Sequence, residues 1–554
     1  MKTSWLVTAW MCAGLASVST ASGSDEPFFD GLGKYERTIT TNSPLAQQYF
    51  NQGLRFLFGF NHSAAIRSFR AAVDADPNCA MAHWGIALAS GPHINFPVVP
   101  PAAAELAWQE LSLARKYSDN GTATEGALIA ALATRYANPQ PEDRRLLDEA
   151  YASAMRGVFE SYPQDGDAGA LFAESMLDLR PWDQWMADGK PQPGTEEVIS
   201  ALDAVLRAHP DHPFANHLYI HTIEASSQPE RASAAADKLR HLQPGLAHNV
   251  HMPSHIDIRC GNWQLAVDGN LAAIEADQRY RTLVGPPKGM VAVYAAHNRH
   301  MLTYAAMMTG QSVLALNHIR QMVAEMPPEF VDEFAPFIDG LIAMPYEVLI
   351  RFGRWNEILC ETEPAENLPL ARALRHAARA VAHAAIGDLA HARTEQSEFD
   401  TAAKKVPAEV TVGNNPASTI ISIASHMIGG EILYREGRVD EGLAELESAV
   451  DVEDTLRYDE PPGWILPVRH ALGATLMSER RYEKAEQVYR EDLKRLPNNG
   501  WSLLGLSRSL MAQGKAEIAK DYDEACRKIW SKSDVEIDSS CLCQSERRLT
   551  RAKP

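Results

Sequence analysis

Apolar residues recur along this chain in Ala-rich stripes at three-to-four spacing, interrupted by Gly, Pro and Asn-Gly signals. That pattern predicts a long succession of amphipathic helices joined by short turns. Alternating strand patterns are nearly absent, apart from a short extended piece expected from Tyr35 to Thr40. Pro92, Pro97, Pro100 and Pro101 break the helical pattern between residues 91 and 145 and predict a loop or cap there. Gly285-Pro286-Pro287-Lys288-Gly289 predicts a loop inserted between two helical segments at 281–290.

The stripes repeat. Gly53, Phe56, Ala65, Phe69, Ala72 and Pro77 fall at positions 8, 11, 20, 24, 27 and 32 of a 34-residue unit, matching the tetratricopeptide (TPR) consensus. Leu472, Gly473, Ala485 and Pro497 take positions 7, 8, 20 and 32 of a later unit, and Trp501, Leu504 and Gly505 open another. Gly430, Gly437 and Ala449 mark the unit before these, while Gly261-Asn262-Trp263 with Ala266 and Ala273 reads as a turn and second helix. Units near Gly310, Gly353 and Gly387 rest mainly on the turn glycine. The expected fold is therefore all-α: a TPR-like α-solenoid, a right-handed superhelix of helix pairs whose first helices line a concave groove.

The expected organisation is a signal peptide over 1–21, an N-terminal extension over 22–43 and a TPR unit over 44–90. An irregular region follows over 91–165, then central repeats over 166–320 and degenerate repeats over 321–420. C-terminal TPR repeats over 421–530 lead into a cysteine-containing tail over 531–554.

The histidines keep the same period. Eight of nineteen lie between His209 and His255. His217, His221 and Glu224 follow i, i+4, i+7, and His248, His251 and His255 follow i, i+3, i+7, so each set shares one helix face. His217 to His251 and His221 to His255 are each 34 residues apart, one repeat. A third repeat, displaced by the inserted loop, adds His297 and His300. Seven imidazoles and one carboxylate thus face one stretch of groove. Such side chains on adjacent helices are a recognised way to build a zinc, copper or iron site, with ligand type favouring zinc or copper. Glu224 is the candidate base or ligand, and Glu174 a weaker candidate projecting toward the same groove. The competing readings are histidines bonded to backbone carbonyls, and an imidazolium groove that grips a peptide carboxylate.

Composition narrows the field further. Seventy-one acidic against 52 basic residues give a net charge of -19, which argues against phosphate-driven nucleic-acid binding. Lys2, the apolar run Trp5 to Val18 and the small residues Ser19-Thr20-Ala21 predict a cleaved leader and a mature protein starting near Ser22, secreted or periplasmic, with no membrane span. Six cysteines remain, at 79, 260, 360, 526, 541 and 543; Cys541 and Cys543 are too close for easy mutual bridging. No nucleotide loop or GxSxG elbow is present.

The strings HLYIHTIEAS, HNVHMPSHI and AAHNRHML, with YDEPPGWILPVRHALGATL near the end, resemble a family of secreted or periplasmic TPR proteins that is largely uncharacterised. The resemblance implies the architecture and a shared set of polar residues, namely His217, His221, Glu224, His248, His251, His255, His297 and His300, without a reaction. Together these features point to an extracytoplasmic metalloprotein acting on a small molecule or short peptide by hydrolysis or oxidation. The alternative is a non-enzymatic TPR scaffold holding a partner protein or peptide.

Overall fold

Ser43 and Asn61 start the first two helices by accepting the backbone N–H groups of Ala46 and Ala64, and Pro44 supplies a fixed φ at the first helical position. Polar side-chain caps recur at Gly166–Asp178, where Asp165 accepts from Ala168 N, and at Gly500–Ala512, where Asn499 accepts from Ser502 N. The computed structural model describes residues 26–186 and 188–544. The leader expected over 1–21 lies outside them.

Helices that follow one another in the chain pack on one another, as the 34-residue period requires. In the first unit, comprising residues 1–256 and 269–298, Pro44–Phe58 packs on His62–Ala75, which packs on Ala80–Ala89. Gly166–Asp178, Thr195–Ala208 and Pro213–Ile223 form a second run. The second unit comprises residues 257–268 and 299–554. Its pairs are Pro369–Ile386 with Leu389–Ala403, Ala417–Arg435 with Val439–Glu453, Val468–Ser478 with Tyr482–Arg495, and Gly500–Ala512 with Ala516–Ile529. The architecture is an all-α, TPR-like stack of helix pairs. Among the described residues the only strands are Thr411–Val412 and Asn415–Pro416, paired antiparallel.

Both ends of the array use one packing device. Phe69 lies fully buried between Gly53 and Gly85, where a Cβ would come within 2.6 and 2.7 Å of the ring. Tyr489 fills the equivalent hole against Gly473, at 2.5 Å, and Gly505. The second instance sits in a core of Leu443, Leu446, Leu472, Leu476 and Leu510.

Several expectations are refined. Tyr35 to Thr40 is extended but pairs with no strand; side chains hold it, with Tyr35 Oη donating to Asp167 at 2.7 Å and Arg37 bridging Asp165 and Asp167. The inserted loop shrinks to a few residues between Trp263–Val284 and Met290–Met308. Among the described residues no cysteine is disulfide-bonded, and no helix is long and apolar enough to cross a membrane.

Candidate metal centre

Pro213–Ile223 is buried on every face, which is unusual for a helix carrying two histidines and an asparagine. His212 caps it, its Nδ1 accepting the Ala215 N–H at 3.2 Å while its Nε2 meets Asp167 at 3.1 Å. One turn apart on this helix, His217 and His221 point into the protein interior, and Glu224 follows as the C-terminal cap. The next repeat begins with Ala247–His251 and, after a break at Met252, continues as Pro253–Arg259. These two short helices carry His248, His251 and His255, and Met290–Met308 carries His297.

Ligand-capable atoms converge in three overlapping groups, each within 4.8 Å: His217, His221 and His248; His251, His255 and His297; and His221, Glu224 and His255. Two histidine triads are therefore joined through one carboxylate. Glu224 Oε1 accepts from His221 Nδ1 at 3.1 Å, and its Oε2 accepts from His255 Nδ1 at 2.7 Å. Burial alone would raise the Glu224 carboxyl, but the facing His221 and His255 rings hold it below the usual range.

The tautomers follow from these bonds. His217 Nδ1 donates to the Phe58 carbonyl at 2.9 Å and His221 Nδ1 to Glu224, so each Nε2 keeps a lone pair. Both Nε2 atoms are buried without a hydrogen-bond partner, as are both ring nitrogens of His248. Burial holds His217, His248 and His251 well below the ordinary imidazole range, so they are neutral at physiological pH. In the other triad His251 Nδ1 meets Asn270 Oδ1 at 2.6 Å, and the His251 and His255 Nε2 atoms face each other at 2.7 Å. That contact requires a proton on His251 Nε2 with the Asn270 amide turned to donate, a proton on His255 Nε2 with its Nδ1–H kept on Glu224, or a cation shared by both.

Aromatic rings enclose the first triad. Phe60, at positive φ in the turn between two helices, centres 4.5 Å from His217, 5.6 Å from His248 and 4.6 Å from His93. Trp182 meets His221 edge-on at 5.3 Å, and Tyr294 stacks on His248 at 4.2 Å. The groove expected from sequence is consequently closed: His217 and His251 are 0% exposed, and only His297 among the six is even half-buried.

Two predicted residues lie apart. Glu174 belongs to a buried carboxylate–guanidinium cluster with Asp178 and Arg135, where burial and the Asp178 charge raise its carboxyl well above the usual range. His300 belongs to none of the three groups; it is buried, which lowers it to about 4, and its Nε2 has no hydrogen-bond partner. Conversely, His62 and His93 are brought together by the fold, their rings 4.4 Å apart with His93 against Phe60. His62 Nδ1 is bonded to Ala89 O at 2.9 Å, and its Nε2 has no partner. Neither residue shares the repeat register, so periodicity carries no signal for them.

No known family profile matches the chain, and no curated protein does either. Among solved structures it is similar to a human IFIT1 dimer with m7Gppp-AAAA, at 12% identity over 89% of this chain and 91% of that one, with a TM-score of 0.32. The APC/C heterotetramer Cut9-Hcn1 matches at 12% identity over 93% and 77%, TM-score 0.27. The P58(IPK) TPR domain matches at 12% over 85% and 99%, TM-score 0.21. These overlaps are too loose to carry any inference about the site.

Proposed function

We propose that the first unit holds a divalent transition metal through His217, His221 and His248, with a second position at His251, His255 and His297, and that the protein is a metal-dependent enzyme acting on a small molecule or short peptide outside the cytosol. The observation that carries this reading is the convergence of buried imidazole nitrogens with no hydrogen-bond partner on His217, His221 and His248. Leaving such groups unpaired costs about 1–3 kcal/mol each, and coordination would recover that cost. The all-imidazole set favours zinc or copper over iron. When bound, the metal supplies Lewis acidity or, as copper, one-electron chemistry.

The chain's own residues do the rest. Glu224 fixes the tautomer and aim of one imidazole in each triad, the role that outer carboxylates play in histidine metal sites. Phe60, Trp182 and Tyr294 keep water from the first triad. Both Glu224 oxygens accept from imidazole N–H groups, so its first role is to orient those rings, and hydrolysis and oxidation both stay compatible with the site.

Elemental analysis of protein purified without chelator tests this. About one or two equivalents of zinc or copper per chain are expected, with the equivalent at the first triad lost in a His217→Ala/His248→Ala variant and all of it lost when His251→Ala/His255→Ala is added. If the wild type carries no stoichiometric metal and takes none up from solutions of either ion, the metal reading fails and a peptide-binding scaffold takes its place.

A further inference from the structure

The second unit holds a cavity of about 190 Å³ that the metal centre does not explain. It is lined by the loop Tyr458-Asp459-Glu460-Pro461-Pro462 and by the apolar side chains Ile258, Met301 and Leu496. Three donors line it without a hydrogen-bond partner although their atoms are buried: Tyr304 Oη, Tyr458 Oη and Trp464 Nε1. Tyr304 is 0% exposed. A buried donor without a partner is costly, and two hydroxyls and an indole N–H on residues lining one cavity call for an acceptor-rich ligand. Guanidinium groups stand beside them: Arg259 lies over the Tyr458 ring at 5.4 Å, and Arg457 and Arg495 line the same space.

We propose that this cavity is a binding site for a small organic carboxylate, whose anionic end is held by Tyr304, Tyr458, Trp464 and the neighbouring arginines while its apolar body lies against Ile258, Met301 and Leu496.

The acids on the wall do not cancel this. Asp492 Oδ2 is occupied by His470 at 3.0 Å, Ser502 at 2.7 Å and Asn499 at 2.9 Å. Asp454, outside the cavity, pairs with Arg469 at 2.7 Å and Arg495 at 3.1 Å. Burial raises Glu453 to about 8 and Asp459 to about 7, which lessens their repulsion of an anion, and both accept backbone N–H groups, from Val468 and Asn414. Glu460 is the remaining acid, and it lines the cavity together with Arg259 and Arg457.

Calorimetric titration of the full chain, slightly below neutrality, with acetate, phenylacetate and succinate separates the outcomes, with phenylacetamide and inorganic phosphate as controls. At least one carboxylate should bind with a Kd of about 1 mM or tighter, and the neutral amide at least ten-fold more weakly. Tyr304→Phe removes one hydroxyl and nothing else. It should lower carboxylate affinity about ten-fold while leaving the melting temperature of the ligand-free protein unchanged or higher. The proposal is overturned if no carboxylate binds, if the amide or phosphate binds as well as the acid, or if Tyr304→Phe lowers stability without touching affinity.

Discussion

At the scale of single residues, Glu224 carries more of the candidate centre than any one imidazole. Its two oxygens orient one ring in each triad, at 3.1 and 2.7 Å. Glu224→Gln keeps the volume but offers only one acceptor oxygen and adds an N–H₂ that repels the second imidazole N–H. Zinc or copper affinity, measured by competition with a chromogenic chelator, is expected to fall about 10–100-fold with the fold intact. Unchanged affinity would show that Glu224 does not position the rings. A second residue sets a pH dependence in the other unit. Glu347 accepts from Ile465 N at 3.2 Å, and burial lifts its carboxyl from 4.5 to about 8. The folded state therefore keeps a proton that the unfolded state has lost, so Glu347 works against stability progressively between pH 4.5 and about 8 and levels off above. Glu347→Gln should flatten that part of the curve and leave the variant more stable than wild type near pH 8 by denaturant titration. A variant with the wild-type slope would remove Glu347 from the account.

At the scale of elements, the repeat was legible because its constraints are local and periodic. Gly53, Phe69, Gly473 and Gly505 stand out in the sequence since a ring seated against a glycine leaves no room for another residue. Gly53→Ala or Gly473→Ala pushes a methyl against Phe69 or Tyr489 and should cost about 1–3 kcal/mol in urea unfolding. A loss below a few tenths would mean the helices separate freely. The same periodicity brought out His217, His221, His251 and His255, whose 34-residue offsets survive as neighbouring positions on packed helices. What it could not carry is depth. A helical repeat predicts a groove, but Phe60, Trp182 and Tyr294 come from turns, a loop and a later helix, and they close the first triad. Glu174 shows the converse: Asp178 and Arg135, the latter far away in sequence, are its charged neighbours, which its own helix position does not reveal. His62 and His93 were lost for the same reason, being joined only through tertiary contact.

At the scale of the whole molecule, the path of the chain interleaves the two units in sequence. Residues 257–268 belong to the second unit and 269–298 to the first, so no single cut divides them. All six triad histidines lie in the first unit, and the carboxylate cavity is lined only by the second. A ligand that binds only the folded state stabilises by about 2.7 kcal/mol at a hundred-fold excess over its Kd, and that energy reaches the segments that open together with the site. Hydrogen exchange on the intact chain should therefore separate the two sites. Adding zinc or copper to metal-stripped protein is expected to slow exchange in Pro213–Ile223 and Ala247–His251 by an order of magnitude or more, and to leave Gly500–Ala512 unchanged. Phenylacetate should do the reverse, protecting Val468–Ser478 and the 455–467 loop while leaving the histidine helices as they were. Equal protection of both units by either ligand would mean that they open as one cooperative body, and that neither site can be assigned to its unit by this route. Protection of the second unit by metal alone would move the metal away from the triads, toward groups such as His383, Asp388 and His391.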